Sequence, residues 1–409
     1  MRIAAAFVAG AVILLGFVSL VWCYAGAASV NAQLKEVGDI FAWISPSDPQ
    51  THYAAAVLHE RSLETGDLEI ALREYETAAA LAPNNYLLWL SLGSAKGRAG
   101  EIAGAESAFR RAHDLAPYYA RTNWALGNFL FRQGQDDEAF PLIKRAVAAD
   151  VTYATPAASI ALQVADNDPN VVRRQFQDDP RIDIALTLLL VQQKRIDQAM
   201  QVWKTVEAKP VDVQYKDSLT KLRDLLFENK RFEYLVGLYG DKSGSEPAVG
   251  KITNPGFELP VVTDSQNPFD WKISRFAYPQ VAITDGQKQT GKYSLIAVLN
   301  GNEYKDFRGF SQLVAVRPGT NYQLTVNYRS EVNSKAQFMW DVITAIDSKR
   351  LAVSAPLQST TLWTQITIEF LVPEGVDGVE VRFVRGDCIA SACAATGSIW
   401  FDEISLTAK

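Results

Sequence analysis

NNYLLWLSLGSAKGRAGEIAGAESAFRRAHDLAP, residues Asn84 to Pro117, reads as two amphipathic helices joined by a turn. Trp89, Leu92 and Gly93 fall three and four positions apart, the spacing that collects side chains on one face of a helix. Gly97 and Gly100 bracket the turn, and Ala105, Ala108, Phe109 and Ala112 form the apolar face of a second helix. Pro117, which cannot continue a helix without losing a backbone hydrogen bond, closes the unit.

The unit recurs. Pro83 and Pro117, Ala71 and Ala105, Tyr75 and Phe109, and Ala78 and Ala112 each lie 34 positions apart. A third copy keeps Leu126, Gly127, Ala139 and Ala146 at that period, while Trp124 is displaced by one position and Val151 replaces the proline. The pattern resembles the tetratricopeptide repeat, whose small positions let two helices approach and whose aromatic positions fill the space between them. VTYATPAASIALQVADNDP matches poorly, but DIALTLLLVQQKRIDQAMQVWKTV restores the pattern through Leu186, Leu190, Ala199 and Trp203, and a further pair runs from Ser218 to Leu238 around a polar turn at Glu228 to Lys230. The resemblance implies an all-α solenoid of four to six hairpins over residues 50–240, the later ones degenerate, with a concave face for a protein partner. Helical spacing assigns Tyr75, Trp89, Phe109 and Trp203 to packing between helices.

At 409 residues, 48% of them hydrophobic, the chain can bury more than one core, and at roughly 100 to 200 residues per domain it holds two or three units. A net charge of −6 speaks against nucleic-acid binding, which needs a basic footprint. Arg2 precedes an uncharged, largely apolar run from Ile3 to Ser29, and the next charge is Lys35. A membrane-spanning helix needs about 20 apolar residues, and the apolar centre of a cleaved signal peptide about 7 to 15, so the length favours an uncleaved anchor within residues 1–34. Ala25, Gly26 and Ala27 offer a competing A-x-A-like cleavage site. Bulky Trp22 stands where lipoprotein processing wants a small residue, so Cys23 reads as an apolar residue within the membrane. Arg2 and the amino terminus keep the N-terminus in the cytoplasm. The expectation is a single-pass inner-membrane protein with residues from about 35 onward in the periplasm or outside the cell. Cys388 and Cys393, close together in DCIASAC, suit a local disulfide in such an oxidising compartment, with two free loop thiols as the alternative.

Pro46 and Pro49 in FAWISPSDPQ, Phe41 to Gln50, should end any helix begun at the membrane. His52 and His59 lie seven apart without a third ligand at fitting spacing, so with His113 they read as solvated side chains. Residues 241–250 form a linker rich in Gly, Ser and Pro. Beyond it, over 251–409, alternation replaces the helical period in YSLIAVL, QLVAV, YQLTVNYR, FMWDVITAI, WTQITIEFLV, VEVRFV and SIWFDEISL, the mark of an antiparallel all-β sandwich or jelly roll.

NPGFELP at Asn254 to Pro260, VAVRPGTNYQLTVNYR at Val314 to Arg329 and SIWFDEISL at the end resemble the opening, central turn and closing strand of carbohydrate-binding-module jelly rolls, with Pro255 as an inserted departure. Trp271 and Trp363 stand where that family places tryptophans. The resemblance implies a structural calcium ion held by Glu258 and Asp402; carboxylates that accept backbone hydrogen bonds without a metal are the alternative. It also implies sugar stacking on aromatic rings in loop-like stretches, for which Tyr278, Tyr304, Phe307 and Phe310 are the candidates, whereas Trp340 alternates with Phe338 and Val342 and belongs to the core.

No His follows His113, and no phosphate-binding loop, G-x-S-x-G or assignable carboxylate pair is present, so the chain reads as no enzyme. The whole reads as a multidomain, membrane-anchored scaffold in bacterial cell-surface polysaccharide assembly or export, its repeats binding a protein and its sandwich a glycan. A structural subunit of a secretion or envelope complex without a glycan is the alternative.

Overall fold

The computed structural model describes residues 2–409 apart from 63, 65, 208–212, 240–246, 264, 274–277, 302–306 and 388–393. Tyr304, Cys388, Cys393 and most of the expected linker therefore lie outside the described residues. The chain forms two compact units, residues 1–189 and 190–409.

The first unit begins with α1 (Arg2–Ser29), in which Gly10–Ser29 has a mean hydropathy of 2.1 and is long and apolar enough to cross a membrane. α1 stops well before the two prolines, and a separate helix α2 (Lys35–Ile44) covers the start of the stretch expected to be a connector. Helical hairpins follow: α3 (Pro49–Arg61) with α4 (Asp67–Leu81), α5 (Tyr86–Arg98) with α6 (Ile102–Leu115), α7 (Ala120–Arg132) with α8 (Asp136–Ala149), then α9 (Ala154–Val164) and α10 (Pro169–Gln175). α11 (Pro180–Gln192) straddles the division between units, and α12 (Ile196–Glu207), α13 (Val213–Glu228) and α14 (Phe232–Gly237) belong to the second.

The repeat is visible in the packing. Ala71, Ala105 and Ala139, and Ala78, Ala112 and Ala146, are all fully buried. A Cβ on Gly93 would come within 2.9 Å of the Phe109 ring, and one on Gly127 within 2.9 Å of Ile143, so at both positions only a residue without a side chain admits the second helix. The turns of the first three hairpins place Gly66, Gly100 and Gly134 at φ of 92°, 80° and 70°, a left-handed conformation that glycine adopts without a Cβ penalty. Lys194 and Lys230 take the same conformation in the two later turns, where Arg195 and Arg231 donate backbone hydrogen bonds to Leu190 and Leu226 at 2.9 Å. The degenerate hairpins thus keep the turn after losing its glycine.

The histidines correct the sequence expectation of solvated side chains. His59 is 3% exposed, with Asp39 at 2.8 Å from Nε2 and Asp67 at 3.0 Å from Nδ1; His52 is buried with Glu74 at 2.6 Å from Nδ1. Lys35 adds bonds to Glu64 at 2.5 Å and Asp67 at 2.8 Å, so a charged network ties α2 to the first hairpin. The neighbouring helices α2 and α4 deliver these acids, which no spacing within α3 reveals. His113 is half-buried with its Nε2 unbonded among the described residues, and burial lowers its pKa.

In the second unit β2 (Ser294–Asn300), β9 (Ala395–Ala408) and β4 (Asn321–Ser334) are flanked by β1 (Gln280–Thr284) and β7 (Thr360–Leu371) in the order β1-β2-β9-β4-β7. The facing sheet runs β3 (Ser311–Ala315), β8 (Gly378–Arg385), β5 (Phe338–Thr344), β6 (Arg350–Val353), and all pairings are antiparallel. The sandwich is of the jelly-roll class expected. β1 and β6, absent from the sequence reading, are short edge strands whose residues are mostly exposed or half-buried, so alternation is weak there. Between the sheets, rings of Trp340, Phe383 and Phe401 meet at centroid distances of 5.0 to 6.0 Å. α14 packs on β3, with Phe232 against Gly378 and the Glu233 N–H donating to Asp377 at 3.3 Å.

Two outcomes follow for stability. Gly97→Ala, one turn from Gly93 and with ordinary contact distance at its Cβ, should stabilise by about 0.5–1 kcal/mol, whereas Gly93→Val should destabilise by about 1–3 kcal/mol, both read by urea titration. The hydrogen bond to Glu74 raises the His52 pKa against the effect of burial, and for His59 burial is outweighed by the bonds to Asp39 and Asp67, so both lie above the ordinary value. A raised histidine pKa stabilises fully below the unfolded value of about 6.5 and ceases to do so as pH rises through the folded value. The melting midpoint should therefore fall as pH rises from about 6 to 9, and fall less in His52→Gln/His59→Asn.

Candidate functional site

In the first unit a groove of about 480 Å³ lies between α5, α6 and α7. Trp124, Asn128 and Arg132 line it at intervals of four along α7, and Ser94 and Arg98 do so along α5, each 34 positions before Asn128 and Arg132. The repeat therefore presents equivalent positions side by side. Arg98 is paired with Glu60, whose other oxygen accepts from the Tyr75 hydroxyl at 2.9 Å. Arg132 is exposed, and no hydrogen bond or ion pair engages it among the described residues. Trp124 is half-buried, its ring stacked 5.0 Å from that of Tyr153. The groove thus joins an apolar wall to a guanidinium, that of Arg132, which no acid engages among the described residues. Sequence reading missed it, although the 34-residue period applied to Arg98 points to Arg132.

In the second unit the expected sugar-stacking rings are placed differently from one another. Phe310 is 1% exposed, with ring centroids 5.3 Å from Trp340 and 5.4 Å from Phe401, and belongs to the core. Its position two residues before buried Gln312 and four before Val314 puts it on the inward face of the β3 alternation, which continues into the preceding stretch. Tyr278 is also core, its hydroxyl donating to the Ala395 carbonyl at 3.2 Å. For these two the expectation of exposed loop rings is corrected: a ring enclosed by the sandwich offers no face to a sugar. Phe307 packs on Phe338 and Phe383 with Arg385 5.3 Å above its ring, at the edge of a cleft of about 470 Å³. Ser311, Arg350 and Arg382 also line this cleft. Arg382 grips the buried Asp341 with two bonds of 2.9 and 2.8 Å, and Arg350 adds one of 3.1 Å, which fixes the guanidinium planes on the outer face of the sheet.

Glu258 and Asp402 converge on one loop. Asp402 accepts from the backbone N–H of Gln289 at 2.8 Å and Thr290 at 3.1 Å through Oδ2, and from Glu403 at 2.8 Å through Oδ1. Glu258 Oε1 accepts from Lys292 at 2.8 Å and Tyr293 at 3.1 Å. A bulge in the β4–β9 pairing, with Glu403 at a φ of 50°, aims the carboxylate there. Burial raises the Asp402 pKa against these hydrogen bonds. Both Asp402 oxygens face N–H dipoles, the donor set of an anion site. These donors fit the metal-free alternative better than a calcium cage.

No family model and no curated protein matches the chain. Solved structures match parts of it. One described as "CBM4 structure and function" is 16% identical with a TM-score of 0.30, covering 39% of this chain and 99% of that one. The CBM22-1 xylan-binding domain from Paenibacillus barcinonensis Xyn10C is 16% identical with a TM-score of 0.27, covering 37% and 90%. YrrB, a TPR protein with an unusual peptide-binding site, is 16% identical with a TM-score of 0.27, covering 50% and 90%. Likeness at these values bears on neither ligand nor partner.

If backbone donors alone satisfy the two carboxylates, chelator should leave the melting midpoint of the full chain unchanged, and Asp402→Ala should cost about 1 kcal/mol or more by removing the acceptor of the Gln289, Thr290 and Glu403 N–H groups. A drop in midpoint on adding chelator, reversed by calcium, would return the calcium reading.

Proposed function

We propose that the chain is a non-catalytic scaffold anchored in the inner membrane by residues 3–29, with its repeats and sandwich on the periplasmic side, serving cell-surface polysaccharide assembly or export. The α5–α7 groove takes a segment of a partner protein that bears a carboxylate, and the guanidinium-lined cleft of the sandwich takes a glycan. The observation that supports this most is Arg132. Arg98 is neutralised by Glu60, whereas its counterpart one repeat later has no acid partner among the described residues and stands beside the Trp124 wall. A carboxylate arriving there gains charge-assisted hydrogen bonds with little to displace.

The burial of Phe310 and Tyr278 favours a second reading, a structural subunit of a secretion or envelope complex that binds no glycan. Binding of the full chain in nanodiscs to an array of short peptides carrying single acidic residues tests the groove. Arg132→Glu should weaken the selected peptides by about 10-fold or more, and unchanged affinity would sink the assignment. Glycan retention by the same preparation, lost in Phe307→Ala, separates the first reading from the second.

A further inference from the structure

The last turn of α1 does not face outward as residues 10–24 do. Ala25 and Ser29 are buried where α1 packs on α2 and α3, and Asp48 lies so close over Gly26 that a Cβ there would come within 2.1 Å of its carboxylate. Lipid can therefore surround the helix only as far as Tyr24. The 22 residues from Ile3 to Tyr24, at about 1.5 Å each, span roughly 33 Å, close to the 30 Å of a hydrocarbon core. The boundary then falls at Trp22 and Tyr24, which are 41% and 72% exposed.

α2 returns to that level, because Asp48 on Gly26 lies only five residues beyond Trp43. Its inner face is committed: Gly38 and Ala42 are buried, Gly38 against Ala55 and Leu58, while Lys35 and Asp39 are engaged with Glu64, Asp67 and His59. Its outer face carries Ile40 at 52% and Trp43 at 81% exposure, next to exposed Leu34 and Val30. Among the described residues these side chains stay largely uncovered, and a membrane-spanning α1 would bring bilayer to their level.

Resting on the reading of α1 as a span, we propose that the outer face of α2 lies in the boundary between headgroups and acyl chains, with Trp22, Tyr24 and Trp43 forming one aromatic belt. Tryptophan and tyrosine favour that layer because it accepts an apolar ring and a polar edge together. The repeats are then seated on the bilayer through two adjoining elements. The docking is apolar in kind: the sole cation of α2, Lys35, is spent on Glu64 and Asp67, and Glu36 is exposed on the same helix, so anionic lipid has nothing to attract it.

The test is tryptophan quenching in the full chain reconstituted into phosphatidylcholine vesicles brominated high on the acyl chains. Trp22→Phe and Trp43→Phe, both exposed positions, should each lose part of the wild-type quenching, and the double variant should lose it all, without any anionic lipid present. If Trp22→Phe loses quenching and Trp43→Phe matches wild type, the docking is wrong and the anchor stands. If wild type is not quenched at all, the anchor reading fails and takes the docking with it.

Discussion

In the second and third hairpins the two helices cross so closely that a methyl group at the crossing has no room. Gly93 meets the Phe109 ring and Gly127 meets Ile143, and the buried alanines on either side depend on that approach. Close crossing lets 34 residues bury a continuous apolar seam with few large side chains, so each unit stacks on the next. The first hairpin departs from the rule. One period before Gly93 stands His59, and where the others rely on contact it relies on an imidazole held between Asp39 and Asp67. Apolar packing has been exchanged for a charged network, and the network recruits α2.

The same periodicity builds the groove. Positions that face outward in one hairpin recur beside their equivalents in the next, so Glu60, Ser94 and Asn128 form one row and Glu64, Arg98 and Arg132 another. Charge varies along these rows: acids in the first hairpin, a paired arginine in the second, an arginine without a partner among the described residues in the third. A uniform scaffold thereby exposes one guanidinium that no acid engages among the described residues.

The sandwich depends on a different device. Phe310, Trp340, Phe383 and Phe401 interlock between the sheets, and Asp402 and Glu258 use their charge to hold the loop that crosses one end. Gly378 at the start of β8 leaves space for Phe232, so the last helix packs on the sheet and Asp377 receives its first N–H groups. A helix that sequence assigns to the repeats is in packing terms part of the second unit.

Much of this was legible in the chain because period is a local property. A 34-residue spacing of Pro, Ala and aromatic residues, an uncharged apolar run and two-residue alternation each announce an element wherever it is packed, so the hairpins, α1 and most strands could be read directly. The assignment of Trp340 to the core followed from alternation alone, and the same parity, carried two residues further back from β3, would have placed Phe310. What sequence could not supply was who meets whom. The partners of His59 come from α2 and α4, Asp402 finds amides more than 110 positions away, and Arg98 is neutralised by Glu60 on another hairpin. Whether a polar or aromatic side chain is buried, paired or exposed depends on distances between segments that only the folded chain brings together, and that tertiary proximity decided both that Phe310 and Tyr278 are enclosed in the core and that Arg132 is exposed.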